Sequence, residues 1–408
     1  MATIRAFGAL RPTNTLVTKV AALPYDVMNT AEAKKMVEGN PYSFLHVDKP
    51  EIHIDHPKND ELYTFAGETL QRMIQEGVFV KDEPSLYIYG LSNSMTTQYG
   101  LVCLVSAKEY DEGIIKKHEN TRTDKELDRI KHVSYCKAHT GPIFLAYNGL
   151  ELVTAWLLEY TAKHDPVYYF IGEDGVKHEV FQVSDPHTIY NITSAFEEAN
   201  ALYIADGHHR AAAAAAVARN FREQGIQNDE AEYFLATIFP KEQLYIMDYN
   251  RVLQDESGLS AEELFKQLKQ KFEIELVDSN IYKPAQRHSF GMRYNKKWYK
   301  LIMKSEWIDE TDPVASLDAS LLQTHVLEPL FKISDPKGDK RIDFVGGIRG
   351  IEELNKRTDT DMHIAFSMYP TSMDELIRVA DANKLMPPKS TWFEPKLRSG
   401  IFIHEIND

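Results

Sequence analysis

The chain has 408 residues, 43% hydrophobic and 26% charged, ordinary proportions for a soluble globular protein with room for two or three subdomains. Its formal net charge of −15 argues against a general nucleic-acid binder, which needs a basic face to neutralise phosphates. No apolar run approaches the roughly 18–20 residues of a membrane span, the first eight residues carry no signal-peptide core, and Cys103 and Cys136 fit neither a disulfide framework nor a zinc spacing. A cytoplasmic protein with no membrane and no nucleic-acid partner is expected.

Along the chain, Asn29-Thr-Ala-Glu32 reads as a capping box opening a helix to about Gly39. Asn40-Pro-Tyr-Ser43 stops that helix and can present polar groups. Residues 60–76 form an amphipathic helix ended by Gly77. Leu86–Leu91 and Tyr99–Ser106 pair as a hairpin. A second capping box, Thr123-Asp-Lys-Glu126, starts a helix to about Lys137. Leu150–Ala162 is helical, and Val167–Ile171 and His178–Val183 are strands around a Glu-Asp-Gly turn. Ser194-Ala-Phe-Glu197 begins a short helix, and Leu202–Ala205 is a short buried strand. A helix follows to about Gly225. Tyr233–Phe239 and Leu244–Tyr249 are strands, Ala261–Phe272 a helix, and Phe290–Tyr294 with Trp298–Met303 a hairpin. Leu317–Leu330 and Met373–Asn383 are helices and Ile401–Ile406 a last strand. Hairpins outnumber βαβ units, so the expected class is α+β, with mixed, mostly antiparallel sheets and flanking helices. One unit over 1–408 is expected, with subdomains near 1–180, 181–250 and 251–408.

The strongest chemical signal is Ala205-Asp-Gly-His-His-Arg210, followed by six alanines, Ala211–Ala216. A strand enters a glycine turn that opens a strong helix. That junction aims backbone N–H groups and the positive end of a helix dipole at one spot. Asp206 as N-cap and Gly207 as turn would serve plain capping. Capping needs one such residue, however, and His208, His209 and Arg210 bring cationic groups to the wrong end of the dipole unless an anion joins them.

Three other stretches carry candidate groups. His118-Glu119, in the loop before the helix that Arg122 enters, offers a base, metal ligand or anion contact. Lys125, Arg129 and His132 share a helical face beyond it, which reads as a solvated charged face. Leu23-Pro-Tyr-Asp-Val27 is a tight segment in which Asp26 is a turn former or a functional carboxylate. Pro387-Pro-Lys-Ser-Thr-Trp-Phe-Glu-Pro-Lys396 is stiffened by prolines and presents Lys389, Ser390, Thr391 and Lys396 as phosphate-friendly donors. There is no P-loop, no clean dinucleotide fingerprint, no protein-kinase set and no nucleophile elbow.

Together, Pro24-Tyr-Asp-Val27 with Asn40-Pro-Tyr-Ser43, His118-Glu-Asn-Thr-Arg122, Ala205-Asp-Gly-His-His-Arg210, and Pro387-Pro-Lys-Ser-Thr391 with Pro395-Lys396 resemble a bacterial and archaeal family known as domain of unknown function 1015. The resemblance spans almost the whole chain, with the pure alanine run after Arg210 as a departure that should touch packing rather than chemistry. The Asp206–Arg210 segment also resembles the nucleotide-binding motif of the ParB/sulfiredoxin fold, over about residues 181–250, a fold that includes free-serine kinases. This second resemblance implies a small-molecule kinase using ATP or ADP and Mg²⁺, with free L-serine a plausible acceptor. On that view Glu119, Asp206, His208, His209 and Arg210 carry catalysis. Gly207 to Arg210 with Lys389, Ser390, Thr391 and Lys396 bind the nucleotide, and Asp26, Asn40, His118 and Arg122 the substrate. Asp206 or Glu119 holds the metal. The partners are then a nucleotide and a small-molecule substrate, with a homodimer allowed. The alternatives are a hydrolase of phosphate esters or nucleotides and a non-catalytic nucleotide-binding regulator.

Overall fold

The computed structural model describes residues 1–406. It comprises two compact units: residues 1–244 with the segment that begins at Pro395, and Tyr245–Glu394. Both are α+β with mostly antiparallel sheets.

The first unit is built on a nine-stranded sheet. Its path runs Ile115–Lys116, Leu202–Asp206, Ile143–Tyr147, Tyr233–Pro240, Thr97–Ser106, Leu86–Ser92, Lys177–Val183, Tyr168–Ile171, and Ile4–Arg5 pairs with Thr97–Ser106 off that path. All pairs are antiparallel except Leu202–Asp206 with Ile115–Lys116 and Tyr233–Pro240 with Ile143–Tyr147. Two-residue alternation sends Leu202 and Ile204 into the core beside Leu86, Ile88, Leu145 and Ile238. The ladder slips at its functional end: Ile204 faces Leu145, but Asp206 faces Phe144, so Ala205 is an extra residue. A bulge of this kind re-aims the next side chain.

The helix His208–Glu223 follows. Ala211 through Ala216 are all buried. Ala211, Ala214 and Ala218 pack on the sheet, while the helix also packs against Thr123–Cys136. A helix covered on two sides needs small residues around its circumference, which accounts for the alanine run.

The second unit has a six-stranded, wholly antiparallel sheet, in the order Phe272–Val277, Lys297–Met303, Ser289–Tyr294, Ile364–Met368, Tyr249–Leu253, Ile342–Gly346. A separate ribbon pairs Tyr245–Met247 with Trp392–Glu394.

Several elements differ from expectation. The boundary near 180 falls inside the strand Lys177–Val183, and strands of the 181–250 stretch belong to the large sheet. Ser194 ends a helix rather than beginning one: Asp185 caps it by accepting from the Thr188 N–H at 2.8 Å, with Pro186 in the first turn. The Thr123–Glu126 capping box is absent. Arg122 is the N-cap, and Glu126 instead accepts from the Thr121 hydroxyl at 3.0 Å. The strand expected over Leu244–Tyr249 divides into Tyr245–Met247 and Tyr249–Leu253. The helix over Leu317–Leu330 contains a π segment, Gln323–Leu327, just before Pro329, whose missing N–H disturbs the regular ladder. The last strand shrinks to His404–Glu405.

Gly67, inside the helix Glu61–Gln75, allows close approach of Thr123–Cys136: a Cβ there would lie 2.5 Å from the Tyr135 carbonyl oxygen. Replacing a mid-helix glycine by alanine ordinarily gains about 0.5–1 kcal/mol. Here Gly67→Ala should instead cost about 1–3 kcal/mol through overpacking. Urea unfolding checks the sign; a raised midpoint would contradict the packing described.

Candidate functional site

The site is built at the C-terminal end of the strand Leu202–Asp206. Past the bulge, Asp206 turns both oxygens to local donors. Oδ1 accepts the Gly207 N–H at 2.8 Å and Oδ2 accepts Lys396 Nζ at 2.8 Å. Burial pushes the Asp206 carboxyl up, but Lys396, Arg210 and His208 outweigh it and hold the group well below the usual carboxylate range. Gly207 adopts φ 95°, in the left-handed region that glycine enters without penalty. No side chain caps the helix that starts at His208.

Arg210 points back over the turn. Its Nη1 donates to the Pro142 carbonyl at 2.7 Å. A Cβ on Gly207 would come within 3.1 Å of Nη2 and 3.3 Å of Nε, so glycine is required for the guanidinium to lie there as well as for the backbone. Among the described residues, Nε and Nη2 take no hydrogen bond.

His208 is not the cation expected. His208 is buried and its ring meets that of His118 edge-on at 4.4 Å, with His208 Nε2 accepting the His118 N–H at 3.5 Å. Burial, then His118 alongside, keeps His208 neutral well below the ordinary imidazole value. Burial likewise lowers His118 to about 4. His209 Nε2 accepts the Arg122 N–H at 3.1 Å. The imidazoles thus staple the 118–122 loop onto the first turn of the helix, and the fixed positive charges at the turn are Arg210 and Lys396.

The other expected residues fall as follows. Glu119 is half-buried, next in chain to His118. The Arg122 side chain is exposed and paired with Asp124. Asp26 is exposed, whereas its neighbour Tyr25 packs under the Arg129 guanidinium, 4.0 Å from the ring centroid. Asn40 secures a turn: Nδ2 donates to Lys19 O at 2.8 Å and Oδ1 accepts the Tyr42 N–H at 3.2 Å. Lys389, Ser390 and Thr391 belong to the second unit. There the Lys389 carbonyl accepts from Arg251 at 3.2 Å and the Ser390 hydroxyl donates to Pro387 O at 2.7 Å. The proline-stiffened strip is therefore divided, with Lys396 alone of its expected donors in the first unit.

Arg129 is the residue the sequence misplaces. It and His132 are buried, not solvated, and only Lys125 of that face is exposed. The interleaved Val133 and Cys136, both buried, were the available signal for an inward face.

A pH dependence follows. Folded His118 protonates only near about 4, whereas an imidazole in the unfolded chain protonates near about 6.5. Between these values the unfolded chain binds the extra proton, so stability falls as pH drops through that window. His139 and His178, each lowered to about 3 by burial, add to the same trend. Urea midpoints should decline from pH 6.5 to 4, and His118→Asn should flatten that slope by close to one proton. An unaltered slope in the variant would mean that His118 is already charged in the folded protein.

No protein of curated function matches the chain. Distant likenesses exist among solved structures. A free serine kinase in complex with AMP is 12% identical, with a TM-score of 0.36 over 72% of this chain and 86% of that one. A conserved hypothetical protein from Pyrococcus furiosus is 13% identical, with a TM-score of 0.35 over 73% and 93%. A C-terminally truncated SbnI from Staphylococcus aureus is 10% identical, with a TM-score of 0.35 over 72% and 82%. Among the described residues no helix is long and apolar enough to cross a membrane. The profile of one family matches residues 4–320, leaving the Pro387–Lys396 strip outside the matched region. The match covers well over half of the chain, which therefore belongs to the family described as protein of unknown function DUF1015.

Proposed function

We propose that this protein is a small-molecule kinase that transfers a phosphoryl group from ATP or ADP to a metabolite hydroxyl. The observation that carries this reading is the uncommitted Nε/Nη2 edge of Arg210, anchored through Nη1 on Pro142 O and lying over Gly207 at an uncapped helix start. Phosphoryl transfer asks for positioning and charge neutralisation more than covalent chemistry. A guanidinium fork matches two phosphoryl oxygens, and the helix N-terminus adds its dipole. Lys396 supplies the second positive charge.

In the proposed reaction the acceptor oxygen bonds to phosphorus as the bridging bond to the nucleotide's leaving phosphate breaks, and the hydroxyl proton passes to a carboxylate. Asp206 is a weak base, because Lys396 and its neighbours stabilise its charged form. Glu119 is therefore the proposed base and Asp206 the group that positions Lys396. His208 and His209 hold the 118–122 loop in place. Mg²⁺, when bound, neutralises charge on the phosphates. Among the described residues no three His, Cys, Asp or Glu side chains gather as a metal group. The ion is proposed to arrive with the nucleotide, held by its phosphates and by water, which leaves Glu119 as the base. Free L-serine as acceptor is supported by the resemblance of Asp206–Arg210 to the free-serine kinases.

The test is transfer of label from γ-labelled ATP or β-labelled ADP, with Mg²⁺, to L-serine and other hydroxylated metabolites. A labelled organic phosphate is expected. Arg210→Ala should lower kcat/KM about 10²–10³-fold with the unfolding midpoint unchanged. No labelled organic product with either donor would refute the kinase, and phosphate release without an acceptor would make the protein a hydrolase.

A further inference from the structure

Behind Arg210 lies a cavity of about 30 Å³, lined among others by Tyr25, Asp48, Arg129, Thr140, Arg210 and Ser399. Arg129, Asp48, Thr140 and Ser399 are buried, while Tyr25 and Arg210 are half-buried and mark its solvent side. A cavity at which two guanidinia meet is costly unless their donors are used.

Those donors are only partly used. Arg129 is 6% exposed, and Asp128 engages its Nε at 2.9 Å and Nη2 at 2.8 Å. Among the described residues, its Nη1 takes no hydrogen bond. The only carboxylate among the residues named at the wall, Asp48, is engaged by the Thr140 hydroxyl at 2.8 Å. His132 and His139, also at the wall, are held below the ordinary imidazole value, chiefly by burial, and add no charge near neutral pH. Gly141 leaves the space open: a Cβ there would stand 2.9 Å from Ser399 Oγ and 3.4 Å from Arg210 Nη1.

Charge selects the occupant. Two guanidinia and the Ser399 hydroxyl face this space against a single carboxylate, Asp48, so it suits a small anionic group of the acceptor. We propose that it seats the carboxylate of a small hydroxy- or amino-acid, gripped by Arg129 Nη1 with Ser399 and Arg210, and that Arg129 is a specificity-determining residue. The remainder of the molecule then lies on the side marked by Tyr25 and Arg210, and Arg210 is shared with the Gly207 turn. The inference rests on the kinase reading for its consequence, selection of a carboxylate-bearing acceptor, but the seat itself is independent of turnover.

The experiment is binding to the full chain without nucleotide, by calorimetry, of L-serine, glycolate, L-serinamide and ethanolamine, with inorganic phosphate as a further arm. L-serine and glycolate should bind, and the two probes lacking a carboxylate should bind at least about tenfold more weakly, the loss of one charge-assisted contact. Phosphate binding, through Arg210 at the Gly207 turn, should persist in Arg129→Gln. Arg129→Gln and Gly141→Ala should each weaken L-serine about tenfold or more while ADP binding persists. If Arg129→Gln does not fold, Gly141→Ala and the probe series decide. Equal binding of ethanolamine, no binding of any carboxylate, or indifference to Gly141→Ala would each overturn the seat. Carboxylate binding without phosphoryl transfer would leave the seat and refute the kinase. Transfer to ethanolamine as efficient as to L-serine would do the reverse.

Discussion

The contact between Lys396 and Asp206 decides what the rest of the turn can do. Asp206 stands beside Arg210 and would be its natural partner. Lys396 on Oδ2 and the Gly207 N–H on Oδ1 hold the carboxylate from two sides, and among the described residues Arg210 makes no hydrogen bond to it. Arg210 therefore leans on a neutral carbonyl, that of Pro142, and keeps half of its fork available. An ion pair whose Lys396 side chain is only 11% exposed is an uncertain source of stability, since desolvation offsets much of the attraction. Its effect here is on orientation.

Packing then holds the turn in place. The alanine helix lies close on the sheet and against Thr123–Cys136, so its first turn has little freedom to shift. Neutral, buried His208 and His118 lock the adjoining loop from the other side. Uncharged imidazoles suit that task, because a charge on either would be buried beside the other and beside a helix terminus that already disfavours cations.

Much of this was legible from residue order. The strand–glycine–helix junction, the hairpins and the capping box at Asn29 depend on neighbours a few residues apart, where propensity and turn chemistry act directly. What eluded sequence reading depends on distant partners. Arg129 looks solvated until Tyr25, Asp128 and a second helix enclose it. His208 looks like a cation until His118 meets it across 90 positions. Ser194 looks like a helix start until the earlier Asp185-Pro186 signal is given priority. The Pro387–Lys396 strip reads as one rigid wall, yet the unit boundary falls inside it, and nothing in its composition marks that point.

The first unit is discontinuous in the chain, since 150 residues of the second, Tyr245–Glu394, come between its last large strand and Lys396. Leu10 and Ala22 also bridge to Ile403 and Ser399 of that returning segment. During synthesis, at roughly 5–20 residues per second, the large sheet and the glycine turn emerge many seconds before the lysine that balances Asp206. The nascent first unit must wait with Asp206 unpaired while the second emerges. The turn thus acquires its finished electrostatics only once the returning segment that carries Lys396 has emerged, so the proposed activity needs both stretches of the first unit.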